Sequence, residues 1–474
     1  MDKKIIVLFH NDLRIDDHPA LWHAAKVGTV IPVFIHNSSQ NNNLSAKDYW
    51  TYYSLQNLQK KLSDAGVPLI LRKGDILVEI IQLLEETHAH AIYFNERFSQ
   101  DERYQDEQLI HLLKEKNIEV KRFYGDTLFS LTTITNKQNK PYAIFTSFYK
   151  RCLQETVRRP LGIPSFKTSS ISIQSLLLED LQLLVGNWYK KFNNYWTPGE
   201  DGAHGQLEYF IERGLHHYGT KRDFPATVAV SRLSPYLAAG NISIRTLWAI
   251  MMGQLEDEED VAIHQQIESF LRQLIWREFS YYQLEHQPIF TTQPLRSGFL
   301  QFQWEQDTIA LEAWKKGKTG YPLVDAGMRE LWATGYIHNR VRMVVASFLV
   351  KHLLQPWQTG YAWFEYTLVD FNAANNAMGW QWVAGTGIDA APYFRIFNPT
   401  LQGEKFDVDG DYIKKWVPEL KHLPPKYIHS PHTAPRAILE QAKIQLGSTY
   451  PLPIVDHQAA RARALERYQA IKKA

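Results

Sequence analysis

Four stretches of the chain place polar, aromatic and cationic side chains at spacings suited to a flat, charged ligand. In SRLSP (residues 231–235), Ser234 and Pro235 read as a helix N-cap and first helical residue, with Gly240 as the stop. Hydroxyls and free N–H groups at such a start seat an anion, and Arg222 and Arg232 lie close in sequence. The chemistry would be diphosphate binding; the plainer reading is an ordinary helix start. In QLIWREF (273–279), Gln273, Trp276 and Arg277 fall at i, i+3 and i+4. An amide, a flat ring and a guanidinium on one face could read a base edge, stack on it and hold its phosphate, or could simply belong to a partly buried helix. In IHNRVRM (337–343), Asn339 and Met343 share a face while Arg340 and Arg342 point elsewhere. An amide can bond two pyrimidine carbonyls, and a thioether packs well against them. Residues 370–399, rich in Asn, Gly and Trp, have weak helical or strand periodicity, which suggests backbone wrapped round a ligand.

The bulk numbers narrow the classes. A chain of 474 residues with 45% hydrophobic content affords two or three domains, and 22% charged residues without long single-sign blocks argue against disorder. The net charge of +2 leaves nucleic-acid binding to local clustering of Lys and Arg. One cysteine, Cys152, excludes an intrachain disulfide and a thiolate metal or iron–sulfur site. The start, MDKKIIVLFHND, has too short an apolar run for a signal peptide, and no run approaches the roughly 18 apolar residues of a membrane span. A cytoplasmic protein is the expectation. The 14 Trp residues lie mostly after residue 180, as core, as stacking platforms or as electron relays.

The elements that must position these residues divide the chain. Apolar runs at 5–9, 30–35, 68–71, 91–94 and 118–123 alternate with helical spacing at 49–62 and 76–84, which predicts an α/β domain with a doubly wound parallel sheet. The loop HNDLRIDDHPAL after the first strand lacks G-x-G-x-x-G, so a Rossmann-type dinucleotide site is not expected there. Residues 131–200 read as an interdomain connector. After residue 200 the pattern turns all-helical, with helices predicted over 261–279, 308–315, 325–334 and 339–354. The predicted domains are 1–130, 131–200 and 201–474.

Together the four stretches, with NDLRIDDHPAL near the start and QGEKFDVDGDYIKKWVPEL near residue 420, resemble the photolyase and cryptochrome flavoprotein family, most of all the microbial class I photolyases for cyclobutane pyrimidine dimers. The resemblance implies an N-terminal α/β antenna domain and a helical domain holding FAD. It implies FAD contacts from Tyr218, Arg222, Val230, Ser231, Arg232, Leu233, Ser234, Phe270, Arg342, Asp370, Phe371 and Asn372, with Asn376 opposite flavin N5. Arg342 matches the arginine that pairs with Asp370. Trp380, Trp357 and Trp304 match the relay that carries electrons to the flavin. Trp276 and Trp382 would stack on a flipped dimer, Gln273, Asn339 and Met343 would touch its edges, and Arg340 and Arg395 would face phosphate. In this reading excited reduced flavin lends one electron to the cyclobutane ring, which opens and returns it. No metal, general acid or base is required.

Three positions depart from the family pattern. Gln273 stands where a Glu is usual, Asn372 where an Asp is expected, and Val230 where a Thr is expected. Gln273 also matches enzymes for (6-4) photoproducts, but those carry histidines at the positions of Asn339 and Met343. A cryptochrome-type photoreceptor is the other alternative. For the antenna, Asp101 and Glu102 match a pterin site, with Asn42 or Asn43 near where folate-binding relatives carry a His; methenyltetrahydrofolate is expected over 8-hydroxy-5-deazaflavin. Damaged DNA is the expected partner of a monomer, with no membrane and no obligatory protein partner.

Overall fold

The computed structural model describes residues 3–37, 44–167, 173–184 and 186–473. The chain forms two compact units: Met1–His216 with Ser231–Pro288 and Val369–Phe371, and His217–Val230 with Ile289–Leu368 and Asn372–Ala474.

The first unit is built on five strands, β1 (Lys4–Phe9), β2 (Thr29–His36), β3 (Ile70–Lys73), β4 (Ala91–Asn95) and β5 (Glu119–Phe123), all parallel in the order β3-β2-β1-β4-β5. Each predicted apolar run overlaps one of them. Alternation along β1 divides the core: Ile5, Val7 and Phe9 join one cluster, Ile6 and Leu8 the other. Both faces are thus apolar, as a sheet covered by helices on two sides requires. The crossovers are α1 (Pro19–Val27), α2 (Ala46–Asp64), α3 (Ile76–Thr87) and α4 (Gln100–Glu115). A further helix, α5 (Phe145–Cys152), lies inside the segment read from sequence as connector. It packs on the 26-residue helix Val261–His286 of the same unit through Phe148, whose ring lies 5.1 Å from Phe279 and 4.7 Å from Tyr282.

The loop after β1 is bolted to residues around 240. Arg14 donates to the Gly240 and Gly125 carbonyls at 3.0 and 3.1 Å, and Asn241 joins the Trp50 indole N–H (2.8 Å) to the Leu13 carbonyl (3.1 Å). Gly240 has φ +66°, and a Cβ there would overlap the backbone of Asn11 and Asp12, so the junction admits only glycine.

The second unit is helical. Its principal helices are Thr308–Lys315, Pro322–Thr334, Asn339–Ser347, Trp357–Thr367, Ala373–Ala384 and His457–Lys473. The predicted helix over 339–354 is correct at its start but changes at Phe348–His352 into a π-turn, where the Leu353 N–H bonds the Phe348 carbonyl at 3.0 Å. The expectation for 370–399 is corrected: residues Ala373–Ala384 form a regular helix, capped by the Asn372 side chain on the Asn375 N–H (3.1 Å) and closed by Gly385. Ala, Asn and Gly hide the period there, because the helix is buried on several sides rather than along one apolar stripe. Among the described residues no helix is long and apolar enough to cross a membrane.

Candidate active site

In the first unit the helix Val261–His286 is started by Asp260, which accepts from the Ala262 N–H at 2.7 Å. Ile267, Phe270, Leu271, Leu274 and Ile275 are buried, and Gln273 and Trp276 are left half-buried on another face. The Gln273 amide donates to the Ser269 carbonyl, one turn back, at 3.2 Å. Trp276 lies flat against Phe145 of α5, centroids 3.6 Å apart and planes 8° from parallel. Arg277 turns inward. Its side chain is 10% exposed, it donates to the Asp126 carbonyl at 2.7 Å and the Tyr281 hydroxyl at 3.1 Å, and it lies over the Tyr281 ring. Next to it the buried Glu278 accepts from the Leu128 N–H at 2.8 Å; burial pushes its carboxyl up to about 7, against the pull of Arg277.

Residues 231–234 also lie in the first unit. The helix here is Ser234–Ala238, five residues long, with Leu233 at the cap position. Ser234 is therefore its first residue rather than its N-cap, and its hydroxyl donates to Asp370 at 2.7 Å instead of capping a backbone N–H. A helix of five residues has little dipole, and the backbone before it is the distinctive feature of this stretch. Arg232 takes a left-handed φ of +53° and Leu233 follows at −87°, −6°. The Leu233 N–H donates weakly to the Ser231 hydroxyl at 3.4 Å, and consecutive residues of opposite hand are the backbone pattern of anion nests. The Arg232 guanidinium lies 4.3 Å from the Trp196 ring centroid. Phe270 is buried against Phe210, and Phe371 is half-buried.

In the second unit Tyr218 is buried, with the Arg222 guanidinium 5.7 Å from its ring centroid, and Val230 is half-buried. The helix Asn339–Ser347 is capped by buried His338, which accepts from the Arg340 N–H at 3.2 Å; burial pulls this imidazole down to about 4, so it accepts as the neutral form. The cap fixes the first turn. There the Asn339 amide lies 4.0 Å from Met343 Sδ, so the two do share a face. Arg340 is ion-paired with Asp223 at 2.6 Å and lies over Phe406, while Arg342 donates to the Ile337 carbonyl at 2.8 Å. Asn376 is 9% exposed and donates to the Tyr361 carbonyl at 3.2 Å. Trp380 and Trp357 are buried, and Trp304 is half-buried against Phe302. Trp382 is half-buried. Arg395 is exposed, and its carbonyl accepts from the buried Lys351 ammonium at 2.9 Å; burial, with Arg395 nearby, pulls that amine down to about 7.

At the start of α4 Asp101 is exposed, and Glu102 closes the capping box with Ser99 and accepts weakly from Asn11 at 3.5 Å. Asn42 and Asn43 lie outside the described residues. Sequence reasoning missed Phe145, Asp223 and Gly360, which hold Trp276, Arg340 and Trp380. A supporting residue carries no local signal, since its partner is distant in the chain.

Residues 5–165 match the family DNA photolyase, and residues 270–470 match the FAD binding domain of DNA photolyase. The chain is 44% identical to a deoxyribodipyrimidine photo-lyase of Agrobacterium fabrum over 99% of its own length and 98% of the relative's. It is 36% identical to Cryptochrome-2 of Arabidopsis thaliana, over 98% of this chain and 79% of that protein. Among solved structures, a bacterial class III photolyase from Agrobacterium tumefaciens superposes with a TM-score of 0.96 at 42% identity, covering 100% of this chain and 98% of the other. The particular likeness to class I read from the sequence is therefore not supported as such.

Proposed function

Because the chain belongs to the photolyase/cryptochrome family and carries the FAD-binding domain of DNA photolyases, we propose that it repairs cyclobutane pyrimidine dimers in DNA under blue light, as an enzyme of the class III kind. The observation that supports this most is the pairing of Asn339 with Met343 on one face at a capped helix start. An amide and a thioether suit the two carbonyls and the apolar ring edge of a cyclobutane dimer. They lack the acidic protons that a histidine pair would offer a (6-4) photoproduct.

The donor set fits FAD. The left-handed Arg232 followed by right-handed Leu233, the hydroxyls of Ser231 and Ser234, and Arg222 suit a diphosphate. Asp370, held by Ser234, supplies a carboxylate, and Asn376, held by Tyr361, supplies an amide to the flavin edge. Bound, reduced and photoexcited, FAD would lend one electron to the dimer and take it back once the ring has opened. The protein's part is to hold and exclude. Trp276 and Trp382 stack on the extruded bases, which returns roughly 1–3 kcal/mol per base. Gln273 offers a neutral donor in place of a carboxylic acid, so it can orient a carbonyl but cannot pass a proton to it. Arg395 holds the backbone outside. Trp380, Trp357 and Trp304 would pass electrons from an outside reductant to oxidised flavin, a step separate from the repair cycle. For the antenna we propose methenyltetrahydrofolate, which extraction and absorbance would identify.

The test is repair of duplexes carrying a cyclobutane dimer or a (6-4) product by prereduced protein, in blue light and in the dark. Light-dependent loss of the cyclobutane dimer alone is expected. Repair of neither lesion by protein that releases FAD on denaturation would move the chain to the photoreceptor branch, and a colourless folded protein would end the flavin reading.

A further inference from the structure

We propose that Phe145 is a positioning residue for lesion binding: it occupies one face of Trp276 and fixes the indole plane, so that the opposite face is presented ready-made to an extruded pyrimidine. The inference rests on the assignment of Trp276 to the lesion site. It goes beyond that assignment in giving a role to α5, an element with no part in the reading above.

The geometry is that of a layered stack within the first unit. Phe145 is 2% exposed and lies parallel to Trp276 at 3.6 Å. Tyr149, one turn along α5, continues the stack at 5.7 Å and 29°. Arg272, one turn before Trp276 on its own helix, lies over both α5 rings, 5.1 Å from the Phe145 centroid and 4.7 Å from that of Tyr149. Cation and rings thus alternate between the two helices at i, i+4 spacing. Among the described residues the other ring contact of Trp276 is with Phe279, T-shaped at 6.0 Å, and no second ring lies parallel to the indole. Beneath, Phe148 is fully buried and anchors α5.

The physical consequence is preorganisation. A half-exposed Trp samples several rotamers, and a base that stacks on it must first stop that motion. With one face already stacked, the ordering is complete before DNA arrives. Loss of the flat partner should therefore weaken binding of the extruded base and leave the photochemistry of a saturated complex unchanged. Undamaged duplex, which extrudes nothing, should be indifferent.

The experiment uses full-length, FAD-loaded, prereduced protein and a duplex with or without one thymine cyclobutane dimer. Phe145→Leu keeps apolar volume but removes the plane; Phe145→Tyr restores it. Phe145→Leu is expected to raise the Kd for the damaged duplex roughly three- to tenfold, the scale of one aromatic pair. Affinity for undamaged duplex, FAD content and single-turnover repair at saturation should stay within about twofold, and Phe145→Tyr should recover damaged-duplex affinity. Equal losses on both duplexes, loss of FAD, failure of Phe145→Tyr to rescue, or damaged-duplex affinity unchanged in Phe145→Leu would each overturn the inference. If Phe145→Leu does not fold, Phe145→Tyr and Phe145→Met decide the matter by the same comparison. Trp276→Ala separates the two levels. If it weakens damaged-duplex binding and Phe145→Leu does not, the inference fails alone; if Trp276→Ala changes nothing, the assignment of Trp276 fails and takes the inference with it.

Discussion

Gly360 lies against the face of Trp380: a Cβ at residue 360 would come within 2.6 Å of indole Cζ3 and overlap Cη2 and Cζ2. The helices Trp357–Thr367 and Ala373–Ala384 meet at this point, and the absent side chain is what lets them close on the ring. Phe364, one turn on, completes the enclosure edge-on at 5.0 Å.

Gly360→Ala should therefore displace Trp380 or part the two helices. A loss of about 1–3 kcal/mol in urea unfolding is expected, the usual cost of overpacking. Slower photoreduction of oxidised flavin should accompany it. Stability equal to wild type would mean that the ring has room to move.

Trp304 is the half-buried member of its set, against two that are buried. Trp304→Phe should cut photoreduction of oxidised flavin by about tenfold or more, since Phe is far harder to oxidise, and leave repair by prereduced protein nearly intact. Stopped illumination with an external reductant present or absent separates the two. A matching fall in repair would show that Trp304 supports structure rather than a relay.

Arg340 and Arg395 should differ in their salt response. The Arg340 charge is paired with Asp223, whereas Arg395 is exposed. Arg395→Ala should lower the slope of log K against log salt by about 0.9, the effect of one phosphate contact. Arg340→Ala should lower it by clearly less, and Asp223→Asn should steepen it. Titrations of dimer-containing duplex across a salt series provide the measurement, and equal slopes for the two alanine variants would remove the distinction.

Glu278 makes stability depend on pH. Its carboxyl is raised by burial to about 7, so between the ordinary carboxylate range and that value the folded chain keeps a proton that the unfolded chain releases. This contribution is complete below the unfolded value and is lost as pH rises through the folded one, up to about 3 kcal/mol for a shift of this size. Glu278→Gln should flatten the curve over that window and raise stability at pH 8 relative to pH 5. Chemical unfolding at the two values decides it, and a curve as steep as wild type would place the titration elsewhere.

The first unit was the more legible from sequence, because parallel strands are buried on both faces and appear as plain apolar runs: residues 5–9 and 91–94 lie inside β1 and β4. Helices with one apolar stripe were equally readable, as Thr308–Lys315 shows. Ala373–Ala384 was not, since small and polar residues on a many-sided helix leave no stripe to count. At the site, types and spacing gave the reactive faces but not their commitments. Nothing local in QLIWREF shows that Arg277 turns to Asp126, or that Trp276 is already stacked. The supports lie far along the chain, Phe145 at 131 residues from Trp276 and Asp223 at 117 from Arg340. The five-residue helix at Ser234 was misplaced by one position because Ser followed by Pro is equally compatible with either cap.

The π-turn at Phe348–His352 adds one residue to a helical path that begins with Asn339. Each residue of an α-helix rotates the chain by 100°. Excision of any single residue from that turn would let ordinary bonding resume and swing everything upstream through that angle relative to everything downstream. Asn339 and Met343 would turn away together, still adjacent to one another but aimed at a different quarter. The heading of the amide–thioether pair is in this sense written several residues beyond it, in the one-residue surplus of the turn.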